Sequence, residues 1–372
     1  MKQITSLVWF LYLTSSLATW TSTQELASNW DALLTRTQGW LGADGIYSLD
    51  LSQDFPQVGA KKLLWFSDTI GGETRNEGQE YGARQMTNHS FALLDGENPE
   101  SDKIEFFWNR ENDDSGARKK NLIDGKYWLQ DGIIVDGRLW IAAILVGKAW
   151  KPDRVDVLSI KIDPITGRPD FSDVKIDVRA PLSLKTPNEQ LVWGAAICDD
   201  ADDGFLYVFG YADRLREGSR KDAVVARVLK DDFEKFDEWR YFDGKEWTAN
   251  AEDVLKPEAT LARGVSTEFS VSKIVKGRDK GKFLFVYTPG VISADVAYRI
   301  GDAPFGKFGA ERVFYRSNIP NELPGVKCYN AKAHPDLANG KKVLVSYNVN
   351  RLGDLAKRPE EYRPRFIWLE LP

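Results

Sequence analysis

Two short segments near the N-terminus decide the fold: Trp40-Leu-Gly-Ala-Asp-Gly-Ile-Tyr-Ser-Leu-Asp50 and Lys62-Leu-Leu-Trp-Phe-Ser-Asp-Thr69. Their apolar and aromatic residues, bounded by Gly, Ser and Asp, predict two antiparallel strands. Asp44 lies where the first strand begins, and Asp68 lies where the second strand ends. Because a hairpin reverses direction, these two positions lie on the same edge of the sheet. The sequence therefore predicts two neighbouring carboxylates.

Short strands of this kind continue along the whole chain, separated by Gly, Asp, Asn and Pro. They form four groups of four strands and a last group of three, which begin at Asp44, Asp131, Gly194, Glu268 and Asn330. Four-stranded units arranged radially are typical of a β-propeller. We therefore predict an all-β fold, a five-bladed β-propeller. A pair of β-sandwich domains is the alternative, although no linker rich in Pro, Gly or Ser divides the chain.

Residues 1–18 have the features of a secretory signal peptide. Lys2 supplies a positive start, Ile4–Leu17 is an apolar run, and Ser16-Leu-Ala18 is a small-x-small cleavage pattern. An uncleaved anchor is the alternative, but the run is short for a membrane span. We expect residues 19–372 to form a single secreted, extracellular domain with no membrane attachment after signal cleavage.

The last group of strands lacks one member, and propellers often complete such a blade with an N-terminal strand, which removes two exposed edges. The segment Trp30–Arg36 fits either a short helix or a strand. We expect residues near Asp31–Arg36 to supply the missing strand.

Composition excludes several classes of protein. The net charge is −5 with acids and bases mixed throughout, so nucleic acid is not an expected partner. The 372 residues contain no Gly-x-Ser-x-Gly elbow, Walker loop or dinucleotide fingerprint. Cys198 and Cys328 are too few for a zinc site or disulfide framework, and their predicted positions on opposite faces argue against a bond between them. No metal or other cofactor is implied, and we expect a monomer.

Several acids fall where strands reach one face of the predicted propeller. The catalytic candidates are Asp44, Asp68, Asp131 and Glu268. Glycoside hydrolysis needs one carboxylic acid to protonate the leaving oxygen and a second carboxylate as base or nucleophile. We assign Asp44 the base or nucleophile role and Asp68 the acid role, because Trp65 and Phe66 beside Asp68 favour its protonated form. Glu268 competes for the acid role. An acid beside glycine at a strand end also fits an ordinary turn, whereas glutamate, as at position 268, has no special role in turns.

Other polar and aromatic residues fall at equivalent strand ends. We predict that they bind substrate: Asn88, His89, Trp193, Asn330, Lys332 and His334. For His334 a core or turn position is the alternative, and a lyase with Lys332 or His334 as base is a further possibility. The acidic stretch Asp199-Asp-Ala-Asp-Asp203 indicates a solvated turn, with weak Ca²⁺ binding as the alternative.

Three segments resemble known families: Ala43-Asp-Gly-Ile-Tyr47 with Leu64-Trp-Phe-Ser-Asp-Thr-Ile-Gly-Gly72, Thr87-Asn-His-Ser90 and Trp128-Leu-Gln-Asp-Gly132. They resemble the secreted propeller families of unknown function 5005 and 4185 over nearly the whole mature chain. The second family includes glycoside hydrolase family 183, which cleaves D-arabinan. Its matching acids fall on Asp44 and Asp68.

A looser resemblance links the chain to the five-bladed glycosidases of families 43 and 32. Those enzymes place three acids on the inner strands of the first three blades, and Asp44 and Asp131 match the first two. The third blade here has Gly194-Ala-Ala196 and no acid, so the general acid has to be Asp68 or Glu268. The resemblances imply a glycoside hydrolase that cleaves a cell-wall polysaccharide or oligosaccharide, with arabinan as one candidate. A non-catalytic carbohydrate-binding or cell-surface propeller is the alternative.

Overall fold

The computed structural model describes residues 25–100, 103–108, 121–178, 182–199, 201–351 and 356–371. The signal peptide expected at residues 1–18 lies outside this part of the chain. Within these ranges the structure has two short α-helices, α1 (Ser28–Leu33) and α2 (Ile319–Glu322), and 25 β-strands. Among the described residues, no helix is both long and apolar enough to cross a membrane.

The strands begin with β1 (Gln38–Ala43), β2 (Tyr47–Asp50), β3 (Lys61–Phe66), β4 (Thr69–Arg75), β5 (Glu80–Thr87), β6 (Ser90–Asp95), β7 (Ile104–Phe107), β8 (Tyr127–Val135), β9 (Arg138–Val146), β10 (Pro152–Ile162), β11 (Pro169–Asp177) and β12 (Ser183–Lys185). They continue with β13 (Glu189–Cys198), β14 (Phe205–Arg214), β15 (Arg220–Leu229), β16 (Arg240–Phe242), β17 (Trp247–Thr248), β18 (Ala262–Arg263), β19 (Phe269–Lys273) and β20 (Phe283–Tyr287). The last strands are β21 (Asp295–Gly301), β22 (Arg312–Arg316), β23 (Lys327–Asn339), β24 (Lys342–Asn350) and β25 (Tyr362–Glu370).

Each predicted group of strands forms one antiparallel sheet. In hydrogen-bonded order the sheets are β2-β3-β6-β7, β8-β9-β10-β11, β12-β13-β14-β15-β16-β17 with β18 beside β15, β19-β20-β21-β22, and β23-β24-β25. We number them sheets 1 to 5. The strands β2, β8, β13, β19 and β23 contact one another in that order, and β23 contacts β2. These inner strands therefore close a ring.

The sheets are packed against both neighbours. In β3, Leu63 lies in the apolar core shared with sheet 2, where it joins Ile141. The next residue, Leu64, lies in the core shared with sheet 5, where it joins Leu344. Because both faces of such a strand are buried, its sequence is a continuous apolar run instead of an alternating one. This arrangement is a β-propeller, as predicted.

A sixth sheet lies outside the predicted groups. It has the order β1-β4-β5, and its hairpin β4-β5 is inserted between the second and third strands of sheet 1. Strand β1 packs beside β25. Because this extra sheet adjoins the ring, the count of five blades stays a prediction.

The N-terminal segment pairs with the outer edge of sheet 5. Leu26 forms an antiparallel bridge with Ile367, and the N–H of Trp368 donates to Glu25 O at 2.9 Å. The expectation that Asp31–Arg36 form this strand is wrong, because the chain turns into α1 at Ser28. Asp31 still provides a hydrogen-bond acceptor for the edge strand β25, since its carboxylate accepts the N–H of Phe366 at 3.1 Å. Burial raises the pKa of this carboxyl to about 6.

Helix α1 is held mainly by Trp30, which is 2% exposed and packs against Phe366 with ring centroids 5.9 Å apart. We expect Trp30→Ala to lower the free energy of unfolding by about 3–5 kcal/mol, the usual cost of removing a buried Trp. Leu26→Ala is the matched control, because Leu26 is 55% exposed and belongs to the same segment. Denaturant unfolding of both variants checks this. Equal stabilities would show that α1 does not help to hold the edge of sheet 5.

Candidate active site

The hairpin of sheet 1 brings Asp44 and Asp68 together through their main chains. The N–H of Asp44 donates to Asp68 O at 3.2 Å, and the N–H of Ser67 donates to Asp44 O at 2.8 Å. These bonds extend the register in which Tyr47 lies opposite Trp65. The carboxylates therefore start from neighbouring positions at one edge of the sheet, which we call the upper face.

A glycine directly after Asp44 lets Glu268 come close to the hairpin. Gly45 has φ +61°, a left-handed conformation that favours glycine. A Cβ atom there would lie 2.6 Å from Ser67 Oγ and 3.4 Å from Glu268 Oε1. The lack of a side chain at Gly45 thus leaves room for Glu268, which precedes the first strand of sheet 4.

Asp44 is partly exposed and receives a strong donor from sheet 5. The hydroxyl of Tyr329 donates to Asp44 Oδ2 at 2.6 Å. Burial, followed by the negative charge of Asp68, raises the pKa of the Asp44 carboxyl to about 8, and Glu268 adds to the increase. These surroundings therefore favour the protonated form of Asp44.

Asp68 has a different set of partners. Its Oδ1 accepts the side-chain N–H of Asn88 at 3.0 Å, and its Oδ2 accepts the indole N–H of Trp128 at 3.1 Å. Burial raises the pKa of Asp68, whereas these two donors act in the opposite direction. Hydrogen bonds to both oxygens stabilise an ionised carboxylate. The donors of Asn88 and Trp128 therefore favour the ionised form of Asp68.

Glu268 is paired with a buried lysine. The ammonium of Lys332 bonds to Glu268 Oε2, and Lys332 is 1% exposed. Burial lowers the pKa of Lys332, and its Nζ lies 3.7 Å from the centroid of the Tyr47 ring. A carboxylate bound to an ammonium is a strong acceptor and a poor proton donor.

Asp131 is held by main-chain donors. Its Oδ1 accepts the N–H of Gly132 at 2.9 Å, and its Oδ2 accepts the N–H of Ile197 in sheet 3 at 2.7 Å. Burial raises the pKa of this carboxyl to about 7. Because both oxygens are occupied, Asp131 ties sheet 2 to sheet 3 and offers little to a substrate.

Bulges occur at one level of the ring. Register shifts fall between Leu129 and Gly132 in β8 and between Trp193 and Ala196 in β13, and a third lies in β23. Side chains of sheet 1 satisfy two freed carbonyls: Trp65 donates to Gln130 O at 2.8 Å, and Tyr47 donates to Ala195 O at 3.2 Å. β-Bulges commonly lie next to active sites, where they redirect side chains.

Two of the predicted substrate-binding residues lie in the interior. His89 is fully buried, and its Nε2 accepts the N–H of Ile123 at 2.9 Å. Trp193 is also fully buried and packs against Tyr241 with ring centroids 5.5 Å apart. Neither side chain presents a surface to a sugar, so the structure places both in the packing of the ring.

His334 occupies the position of a core histidine. Its Nδ1 bonds to Ser48 Oγ at 2.9 Å and its Nε2 to Ser346 Oγ at 2.8 Å. Burial lowers the pKa of the ring to about 3, so the imidazole stays neutral. It is poorly placed to act as the base of a lyase.

The remaining predicted residues support the acids. Asn88 orients Asp68, as described above, and Lys332 pairs with Glu268. Asn330 has the left-handed φ of +52°, and its Oδ1 accepts the hydroxyl of Thr267 at 3.0 Å. Asn330 therefore shapes the bulge of β23 that directs Tyr329 toward Asp44.

Three residues of the site were not selected from the sequence: Trp128, Tyr329 and Tyr362. The hydroxyl of Tyr362 donates to Asp68 O at 2.8 Å. Tyr329 lies one residue before the predicted candidate Asn330, and Trp128 lies inside a quoted motif. Tyr362 begins β25, the third strand of sheet 5, far from Asp68 in the sequence.

A cavity of about 280 Å³ lies beneath the acids, along the later parts of the inner strands. Asp131, Lys332 and His334 line it, whereas Asp44 and Asp68 lie outside it. Among the described residues, no group of three or more His, Cys, Asp or Glu side chains could hold a metal ion. Cys198 and Cys328 are buried and are not joined by a disulfide.

The acidic stretch near residue 200 forms a turn and makes salt bridges. Asp203 caps the turn by accepting the N–H of Phe205 at 3.1 Å, and Asp202 pairs with Lys273. These contacts match the expected solvated turn.

Comparison with known families identifies the chain. Residues 27–370 match the family model described as Domain of unknown function (DUF5005). The chain belongs to this family. The resemblance seen in the Asp-Gly and Ser-Asp-Thr segments is thereby confirmed. No curated protein matches this DUF5005 member.

Among solved structures, a proposed hydrolase from Bacteroides ovatus ATCC 8483 shares 16% identity with this DUF5005 chain, covers 92% of it and 89% of its own length, and has a TM-score of 0.69. A family 43 β-xylosidase/α-arabinofuranosidase from a compost microbial metagenome shares 13% identity over 94% of each chain, with a TM-score of 0.46. A GH43_1 enzyme from Xanthomonas citri shares 10% identity over 93% of this chain and 94% of its own, with a TM-score of 0.41. The first likeness shows a shared fold alone, and the two lower scores support no inference.

The raised pKa of Asp44 has a consequence for stability. A carboxyl whose pKa is higher in the folded state than in the unfolded state stabilises the fold at low pH and loses that contribution as pH rises through the folded value. We expect Asp44→Asn to raise the melting temperature relative to wild type, with a gain that grows from about pH 4 to about pH 8. Thermal unfolding across this range measures it.

Asp163→Asn is the control, because the pKa of Asp163 is shifted in the opposite direction to that of Asp44. Asp163 is exposed, and hydrogen bonds from Thr166 lower its pKa, so this substitution should give no gain that grows with pH. A lower melting temperature of Asp44→Asn at pH 8 would contradict the proposed protonation of Asp44.

The Glu268–Lys332 pair gives a second test. Lys332→Met leaves the Glu268 carboxylate buried and unpaired, a change that typically costs about 3–5 kcal/mol. We expect the double variant Lys332→Met/Glu268→Gln to recover part of this loss in denaturant unfolding. Lys235→Met removes an exposed pair with Asp232 and should change stability little. A Lys332→Met variant as stable as wild type would show that the pair is solvated.

Proposed function

We propose that this protein is a secreted glycoside hydrolase that cleaves a cell-wall polysaccharide with Asp44 and Asp68. One observation carries the proposal: two carboxyls lie side by side on the upper face, and their environments favour different protonation states. Pairs of acids whose pKa values are separated by their surroundings are the usual means of acid–base catalysis at one pH. The resemblance of Asp44 and Asp68 to the acids of an arabinan-cleaving family supports this assignment.

The hydrogen bonds favour roles opposite to those expected from the sequence. Asp44, held protonated by burial and by its negative neighbours, would donate its proton to the glycosidic oxygen as the bond to the anomeric carbon breaks. Asp68, ionised and held by Asn88 and Trp128, would attack that carbon or remove a proton from the attacking water. Burial raises the pKa of Asp68, as expected from its apolar neighbours in the sequence, while the N–H donors of Asn88 and Trp128 favour its ionised form.

The other candidate acids support this pair without replacing it. Glu268 is bonded to Lys332, and Asp131 is bonded to two main-chain N–H groups. Glu268 remains close enough to influence the site, since its negative charge contributes to the raised pKa of Asp44. We propose that Glu268 and Asp131 set the electrostatics and shape of the site, while the first hairpin supplies the groups that react.

The test is hydrolysis by the mature protein. Release of reducing ends from a panel of arabinan, xylan and other cell-wall polysaccharides should identify a substrate. Asp44→Asn and Asp68→Asn should each lower kcat by about 10²–10⁴-fold, the range for general acid–base assistance. Activity should fall as pH rises through about 8, where Asp44 loses its proton, and should also fall at low pH, where Asp68 gains one.

Matched variants separate the roles. Asp163→Asn should keep full activity, while Glu268→Gln and Asp131→Asn should lose less than the two hairpin variants. Loss of turnover in Glu268→Gln with Asp68→Asn still active would move the second carboxylate to sheet 4. Binding of a sugar without any release of reducing ends would favour a carbohydrate-binding propeller, and an unsaturated product would indicate a lyase.

A further inference from the structure

An exposed tryptophan lies next to the candidate acids. Trp150 is 57% exposed and ends the short turn Lys148–Trp150 between β9 and β10. Its φ of +58° is left-handed, a conformation that bulky residues rarely adopt. Such strain persists only where the surrounding structure holds it, and it often marks a functional position.

The ring of Trp150 connects directly to the candidate acids. It stacks on Trp128 with ring centroids 6.5 Å apart and an angle of 12° between the planes. The indole N–H of the same Trp128 donates to Asp68 Oδ2 at 3.1 Å. The two tryptophans therefore form an aromatic surface that begins at Asp68 and continues outward. Aromatic faces of this kind bind the apolar faces of sugar rings.

The surface also carries positive charge. The Nζ of Lys126 lies 3.5 Å from the centroid of the Trp150 ring, and its charge acts on Asp68 by lowering the pKa of that carboxyl. Lys148 and Lys151 flank Trp150 in the chain and are exposed. None of these three lysines makes an ion pair within the described parts of the chain. The exposed indole of Trp150 thus lies in contact with a lysine ammonium, in a protein whose net charge is −5.

We propose that Trp150, Trp128 and Lys126 form a subsite for an anionic sugar, adjacent to the bond that Asp44 and Asp68 would cleave. A sugar ring lies on the indole surface, and its carboxylate or sulfate lies near Lys126. The subsite rests on the proposed function, since it binds a further sugar of the polymer that Asp44 and Asp68 are proposed to cleave. It narrows the substrate class to acidic polysaccharides.

Binding measurements on the mature protein test the subsite. Isothermal titration calorimetry with polygalacturonate, a sulfated galactan and neutral arabinan as probes should show tighter binding of a charged polymer, with an affinity that falls as salt rises. Trp150→Ala should weaken that binding about tenfold or more, while Trp150→Phe keeps most of it. Lys126→Gln should remove the preference for charge. Which charged polymer binds more tightly distinguishes a carboxylate from a sulfate.

Ile165→Ala is the matched control. Ile165 is 73% exposed and follows the opposite end of β10, so its loss should leave binding unchanged. Equal affinities of Trp150→Ala and wild type, or a preference for neutral arabinan that Lys126→Gln leaves unaltered, would overturn the subsite. Trp150-dependent binding without hydrolysis would retain the subsite and reject the hydrolase. Hydrolysis with a KM that Trp150→Ala leaves unchanged would support the hydrolase and reject the subsite.

Discussion

The site depends on two main-chain hydrogen bonds that join Asp44 to Ser67 and Asp68. They fix two carboxyls at neighbouring positions, where burial makes the simultaneous ionisation of both costly. Donors from three sheets reduce that cost: Asn88 from sheet 1, Trp128 from sheet 2 and Tyr329 from sheet 5. Closure of the ring is therefore needed to bring hydrogen-bond donors to both carboxylates, because no single sheet could surround them.

The contact between sheets 5 and 1 shows how strongly folding and site formation are linked. Apart from the apolar core, this contact contains hydrogen bonds in which Tyr362 donates to Asp68 O, Ser48 Oγ donates to Asp336 Oδ1, and Ser48 Oγ pairs with His334 Nδ1. Polar groups that are hydrogen-bonded across a contact help to specify one arrangement, whereas apolar side chains tolerate several. The chain thus closes its ring with the same residues that position the acids. A substitution that loosens this contact should disturb both stability and the site.

The sequence was sufficient to predict the strand groups and the position of Asp44 beside Asp68, because both follow from local patterns and from the geometry of a hairpin. It was insufficient where a side chain could serve two purposes. Trp193 and His89 are residue types that often bind sugars, and only the packing of neighbouring sheets shows that both are buried. The prediction for the N-terminal segment was wrong for a similar reason. Asp31 lies in a helix, and its side chain accepts the N–H of Phe366, a bond that the main chain of a strand would otherwise provide. The partners Tyr329 and Tyr362 come from sheet 5, far from Asp44 in sequence, and no local pattern links them.

The different surroundings of the inner acids are compatible with the proposed catalysis, although sheet 3 supplies no acid. Gly194 has φ +95°, and a Cβ atom there would lie 2.1 Å from the Cβ of Ala142, so sheet 3 approaches sheet 2 too closely for a larger side chain. Asp131 holds that approach through the N–H of Ile197 and is thereby occupied. A proton donor then has to come from elsewhere on the upper face, and Glu268 is neutralised by Lys332. Asp44 is left as the carboxyl whose raised pKa, partial exposure and neighbouring carboxylate suit the donor role. Close packing between sheets 2 and 3 and the donor role proposed for Asp44 are thus linked through one arrangement of the inner acids.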